Sequence, residues 1–160
     1  MKLQNFDFRI WVKGEETLIY ASKDWKLSIG FSKPQQDNGE TESVLHAYYD
    51  GEPQCPDDCE IELWSGFCDS KGTKIYEGDI VKYRRYTKPL EVVYAESTFY
   101  IVDKNIEKDF QVDCGTRLQG IYDNANNGYK DNKLGYVEVI GNIHENAELL
   151  EQRGKVCLRL

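Results

Sequence analysis

The stretch Ile75-Tyr76-Glu77-Gly78-Asp79-Ile80-Val81-Lys82-Tyr83 reads as a turn feeding a strand. Gly78 admits a backbone with φ > 0, which a β-carbon would penalise. The Asp79 carboxylate is placed to tie that turn to nearby backbone amides. Ile80 and Val81 then enter a core by alternation, so the stretch marks the corner at which a β structure begins. Further strands follow at short spacing over residues 79–86, 90–94, 98–102 and 136–143. Pro89 sits just before one of them, where a missing amide donor is tolerated.

Working back towards the N-terminus, residues 6–12 place Phe6, Phe8, Ile10 and Val12 on one face of a strand and Trp11 on the other. Residues 17–20 give a second strand, so 6–20 read as a hairpin. Trp25, Leu27, Ile29 and Phe31 alternate along a third. Residues 33–42 are polar and turn-rich and read as a loop. Residues 44–49 are open between strand and helix, and 50–59, with two prolines, read as a second loop. Ile61, Leu63 and Trp64 open another ordered element. Towards the C-terminus, residues 121–132 are rich in Asn, Asp and Gly and read as an excursion. Asn146 stands as an N-cap for a helix over 147–153, with Glu148 in its first turn, Arg153 in its last and Gly154 to stop it.

The fold class expected is mainly β. Residues 66–153 read as a small SH3-like barrel with an insertion at about 103–135 and a short terminal helix. Residues 1–65 read as an N-terminal lobe with a β-hairpin or sheet, packed with the barrel as one unit, and 154–160 as a tail. The 160 residues allow a core without metal or disulfide support. The 11 Tyr, 6 Phe and 3 Trp favour strands. Trp11, Trp25 and Trp64 are candidates for a β core, and Cys114 is expected to be packed. A net charge of −8 repels phosphate backbones and argues against a general nucleic-acid coat protein. No apolar run is long enough to span a bilayer, and residues 1–7 lack the apolar centre of a secretion signal. The location expected is the cytoplasm, where thiols stay reduced, and five cysteines leave one unpaired in any disulfide scheme.

Residues 66–81, Gly-Phe-Cys-Asp-Ser-Lys-Gly-Thr-Lys-Ile-Tyr-Glu-Gly-Asp-Ile-Val, are similar to a signature TGLKDKNGKEIYEGDIV. Residues 136–150, Tyr-Val-Glu-Val-Ile-Gly-Asn-Ile-His-Glu-Asn-Ala-Glu-Leu-Leu, resemble an ending EVIGNIYENPELL. Phe8-Arg9-Ile10-Trp11 is similar to a start FRAW. These motifs are those of the YopX-like proteins of phages and prophages, and the resemblance spans about residues 6–150. Ser65 departs from a usual Thr, Cys68 from a Lys-like residue, and Ala147 from a frequent Pro. The resemblance implies a small β-rich fold, a mobile-element origin and self-association. It carries no reaction and no catalytic residue.

Four features bear on chemistry. Cys55 and Cys59, with Cys68 nine residues on and His46 as a fourth donor, could supply zinc ligands, but only one closely spaced pair is present. Incidental cysteines in an acidic loop are the plainer reading, and no cofactor is expected. Lys82, Tyr83, Arg84, Arg85, Tyr86 and Lys88 form a basic, aromatic-interleaved run that could meet phosphates and stack on unpaired bases. Against this stands a strand running into a solvated hairpin tip. Residues 50–62 hold six acids and no base, which reads as a solvated loop or as an imitation of phosphates. His46 and His144 are far apart in sequence, and no phosphate loop, nucleophile elbow or zinc-protease motif occurs.

These readings converge on a non-enzymatic, prophage-derived interaction protein that associates with itself. The aromatic excess, including Tyr48, Tyr49, Tyr94 and Tyr100, suits such a face, and a host or phage protein is a further candidate partner. Two alternatives stand beside it: a nucleic-acid-binding module using residues 82–88, and an acidic inhibitor of a host DNA-binding protein. Basic side chains gathered on an open face would favour the first alternative, and an acidic stripe the second.

Overall fold

The computed structural model describes residues 6–31, 45–124 and 132–151. The chain divides into two units, one ending at Leu63 and the other beginning at Trp64.

In the first unit, β1 (Phe8–Val12) is the central strand of a sheet. It pairs antiparallel with β2 (Thr17–Tyr20) on one side and with the first half of β6 (Cys59–Cys68) on the other. Ile10 lies opposite both Ile19 and Ile61, so the register stacks β-branched residues. A second antiparallel sheet holds β3 (Leu27–Phe31), β4 (Leu45–Tyr49) and β5 (Glu52–Pro53). Phe8, Ile10, Leu27, Ala47 and Cys59 form the buried cluster. Fully burying Phe8, Ile10 or Leu27 contributes about 1.5–3 kcal/mol each.

Three expectations are corrected in this unit. Trp25 is 86% exposed and does not join Leu27 on a buried face. Asp24 accepts hydrogen bonds from the amides of Lys26 and Leu27, which holds a turn and delays the strand until Leu27. Residues 45–49 resolve as strand, and the 50–59 loop contains β5. Strand β1 does not alternate between wet and dry faces, because Phe8, Arg9, Ile10 and Trp11 are all buried. The expected loop at 33–42 lies outside the described residues.

In the second unit, five strands form one antiparallel sheet in the order β11 (Thr116–Arg117), β10 (Thr98–Val102), β9 (Leu90–Ala95), β8 (Asp79–Tyr83), β12 (Val137–Asn142). The β12–β8 register shifts between Val139 and Gly141, and such a bulge bends a strand. Among the described residues β11 does not pair with β12, so the sheet is a curled, open half-barrel. The second half of β6 pairs with β7 (Lys74–Tyr76) around Gly66, which has φ +86°.

Helix α1 (Leu118–Asn124) occupies part of the stretch expected to be an excursion. Leu118 and Ile121, one turn apart, bury themselves in the cluster of Ile75, Val81, Leu90, Val92, Ile101 and Val137. That packing fixes a helix of 7 residues which its Asn- and Asp-rich end conceals in the sequence. The terminal helix is also corrected. Among the described residues only a 3-10 turn, Ala147–Leu149, is present, and the Asn146 side chain does not cap it. The Asn146 Oδ1 instead accepts from the Asn142 amide. This is feasible because residue 141 is glycine, where a β-carbon would lie 2.5 Å from that oxygen. Arg153 and Gly154 lie outside the described residues. Cys114 is exposed rather than packed.

Candidate functional site

The Gly78 corner positions everything that follows it in β8. Gly78 has φ +76°, and the Asp79 carboxylate accepts the Tyr76 amide at 2.8 Å. The Gly78 amide donates to the Val92 carbonyl, and the Gly78 carbonyl accepts from the Ile143 amide, both at 2.9 Å. The corner is thereby bonded to β9 on one side and to the end of β12 on the other. Strand β8 then buries Ile80 and Val81, exposes Lys82 and buries Tyr83.

Beyond Tyr83 the sheet ladder stops. The Arg84 amide donates to the Tyr136 carbonyl at 3.1 Å, and the Tyr86 amide turns back to the Tyr83 carbonyl at 2.8 Å. The strand expected over 79–86 therefore ends at Tyr83, and Lys82, Arg84, Arg85 and Tyr86 are exposed, with Lys88 half-buried. Tyr83 is a correction to the sequence-based site. It is 7% exposed and packs in the core, so its ring has no free face for a base. It backs the Tyr86 ring instead, centroid to centroid at 5.7 Å. The Tyr86 hydroxyl lies 3.2 Å from the Thr116 hydroxyl.

Tyr136 belongs to this site, and sequence reasoning missed it. The Arg84 guanidinium carbon sits 5.3 Å from its ring centroid. The signal was the antiparallel pairing of β8 with β12, which sets Val137 opposite Tyr83 and so brings Tyr136 beside Arg84. Two hollows open here. One, of about 390 Å³, is lined by Arg84, Arg85, Ile121, Asn124 and Tyr136, with Tyr83 at its base. The other, of about 450 Å³, includes Ser70, Lys82, Tyr86, Lys88 and Glu138 and shares Tyr83, Arg84 and Tyr136 with the first.

The site is electropositive. Among the described residues none of Lys82, Arg84, Arg85 and Lys88 forms an ion pair. Glu138 lies opposite Lys82 in register, but its carboxylate is held by Lys71 at 2.6 Å. The hydrogen bond to Glu138, and then its charge, raise the Lys71 ammonium above its ordinary pKa. Asp103 is held below its ordinary value. Burial works against this, but two Asn105 hydrogen bonds and the positive charge of Lys88 outweigh it.

The other sequence candidates are not assembled in this way. Cys55 is exposed, Cys59 buried and Cys68 half-buried. Among the described residues no group of three or more His, Cys, Asp or Glu is placed to hold a metal ion. His46 Nδ1 is buried without a hydrogen-bond partner beside a hollow of about 190 Å³ that it shares with Cys59. Of the acids in 50–62, Asp50 pairs with Lys26, Glu60 with Lys13 and Glu62 with Arg9. Among the described residues no helix is long and apolar enough to cross a membrane.

Fold and groove together define a mainly β protein with a basic, tyrosine-walled recess on its C-terminal unit. The family described as YopX protein matches residues 7–151, and the chain belongs to that family. Among solved structures it is similar to the "Crystal structure of protein EF1440 from Enterococcus faecalis", at 23% identity and a TM-score of 0.47, over 91% of this chain and 97% of that one. No curated protein matches the chain.

Proposed function

We propose that this protein is a non-enzymatic binding protein that holds an unpaired nucleic-acid strand in the Lys82–Lys88 groove. One observation carries the reading. Lys82, Arg84, Arg85 and Lys88 surround two adjoining hollows whose walls include the exposed rings of Tyr86 and Tyr136. Cations neutralise phosphates and release their counterions, while aromatic faces take unpaired bases without regard to sequence. The net charge of −8 confines the attraction to this local patch and makes binding strongly salt-dependent. Titration of a labelled single-stranded oligonucleotide across a salt series tests the reading. A strand engaging all four cations gives a slope of log K against log salt near −2.8, from roughly −0.7 per neutralised phosphate. Replacing both Arg84 and Arg85 with Ala removes measurable binding. Equal affinity of that variant, or no binding by the native protein, overturns the proposal.

Self-association is the second reading. Trp25, Phe31 and Leu45 are 86%, 71% and 44% exposed around β3, which among the described residues is an edge strand of its sheet. Apolar side chains along such an edge suit pairing with a second copy. Light scattering over a concentration series tests it, and a strict monomer removes it. Imitation of DNA by residues 50–62 has less support, because Arg9, Lys13 and Lys26 engage three of that run's acids. The proposal retains an SH3-like relationship for the half-barrel sheet, a phage or prophage origin and action in the host cytoplasm.

A further inference from the structure

We infer that the groove seats two adjacent nucleotides, one base in each hollow, with the linking phosphate on Arg84. This inference rests on reading the groove as a nucleic-acid interface. The two hollows are not independent, because Tyr83, Arg84 and Tyr136 line both. Tyr83 is core, so Arg84 stacked against Tyr136 forms the exposed part of the shared wall. A guanidinium that uses one face on an aromatic ring keeps its in-plane N–H groups for phosphate oxygens. The charge that meets the backbone therefore lies between two recesses of about 390 and 450 Å³.

Each recess has its own wall for a base. The first is lined by Tyr136, which offers a ring, by the apolar Ile121 and by Asn124. The Asn124 amide nitrogen is committed to the Gly120 carbonyl at 2.7 Å, which leaves Oδ1 as an acceptor for a base N–H. In the second, the Tyr86 ring is backed by Tyr83 and its hydroxyl is tied to Thr116, so it is pre-set rather than free to rotate. Lys82 and Lys88 flank that recess and suit the next phosphate. The occupant is an unpaired strand, because paired bases in a duplex have no ring face to offer.

The test is direct binding of the full chain to labelled oligothymidylates of one, two, three and six nucleotides, to an abasic hexamer and to a duplex. Affinity rises about ten-fold or more from one nucleotide to two and grows only slowly beyond three. The abasic hexamer, with unchanged phosphate charge, binds at least about ten-fold more weakly than the thymidylate hexamer. Tyr136→Ala narrows that difference while leaving the salt slope unchanged. Tyr136 lies at the surface, and a thermal melt verifies that the variant folds. Asn124→Ala, in the lining of the first hollow, gives a second and milder loss. Equal binding of the abasic and base-bearing hexamers overturns the two-base seat but leaves the groove as a phosphate-binding strip. Failure to bind any of the oligonucleotides overturns both.

Discussion

The Asp69 carboxylate accepts a hydrogen bond from the Val139 amide at 3.1 Å, which ties the turn after β6 to β12. Its other oxygen accepts the amides of Lys71 and Thr73 at 2.9 and 2.8 Å. Asp69 is 1% exposed, so its carboxylate is removed from water, whereas the donor residues Lys71 and Thr73 are exposed and Val139 is half-buried. An unsatisfied buried donor costs about 1–3 kcal/mol. Asp69→Ala removes the acceptor of three amides, of which the half-buried Val139 amide has the least access to water, and is expected to cost about 2–3 kcal/mol. Asp69→Asn keeps one accepting oxygen but turns an NH2 towards a third donor, for a loss of about 2 kcal/mol. Urea denaturation measures both. A loss below about 1 kcal/mol for Asp69→Ala would mean that water replaces the carboxylate.

Arg9 and Glu62 form an ion pair in which both side chains are almost wholly buried, at 3% and 5% exposure. They lie opposite each other in the β1–β6 register, and Arg9 also stacks near the Tyr20 ring at 5.7 Å. Removing one partner leaves a buried charge, which costs about 3–5 kcal/mol. Glu62→Gln and Glu62→Ala are therefore expected to unfold at much lower denaturant. Replacing Arg9 and Glu62 together with Met and Leu restores most of the loss, because the packed pair has little net worth over apolar side chains of similar volume. If the double replacement is as damaging as either single change, the pair contributes net stability in its own right.

The Gly78 corner, the hairpin over 6–20 and the strands at 90–94 and 98–102 were legible because turn residues and alternation agree there at short range. Arg9 and Glu62 were not legible, since a charged residue inside a strand pattern signals an exposed face unless its partner is known. Leu118 and Ile121 offered only one helical turn of apolar spacing, too little to outweigh the Asn and Asp residues after them. At the groove, the cations of 82–88 were visible as a run in sequence. Two assignments depended on the strands instead. Tyr83 turned inward because it shares the buried face of Val81 two residues earlier, with Lys82 exposed between them, and Tyr136 joined the site because the β8–β12 pairing brings the chain back beside Arg84. Neither register nor the residues flanking it can be read from a local window.

Cys59 and Cys68 provide a prediction in pH. Burial pushes both thiols above their ordinary pKa of 9.0; for Cys59 the nearby Cys55 and Asp58 add to the shift. A thiol held protonated reacts slowly, because the thiolate is the nucleophile. Alkylation by iodoacetamide at pH 8, read by mass spectrometry, should label the exposed Cys55 and Cys114 first and Cys59 and Cys68 at least about ten-fold more slowly. The same shift acts on stability. Above about pH 9 the unfolded chain has lost protons that the folded chain still holds, so stability falls as pH rises from there towards the folded-state values. Cys59→Ala with Cys68→Ala should flatten the loss of urea resistance between about pH 8 and 10, whatever it does to stability at neutral pH. An unchanged slope in that variant would assign the alkaline loss to other groups, and labelling of Cys59 as fast as Cys55 would show that its burial does not hold in solution.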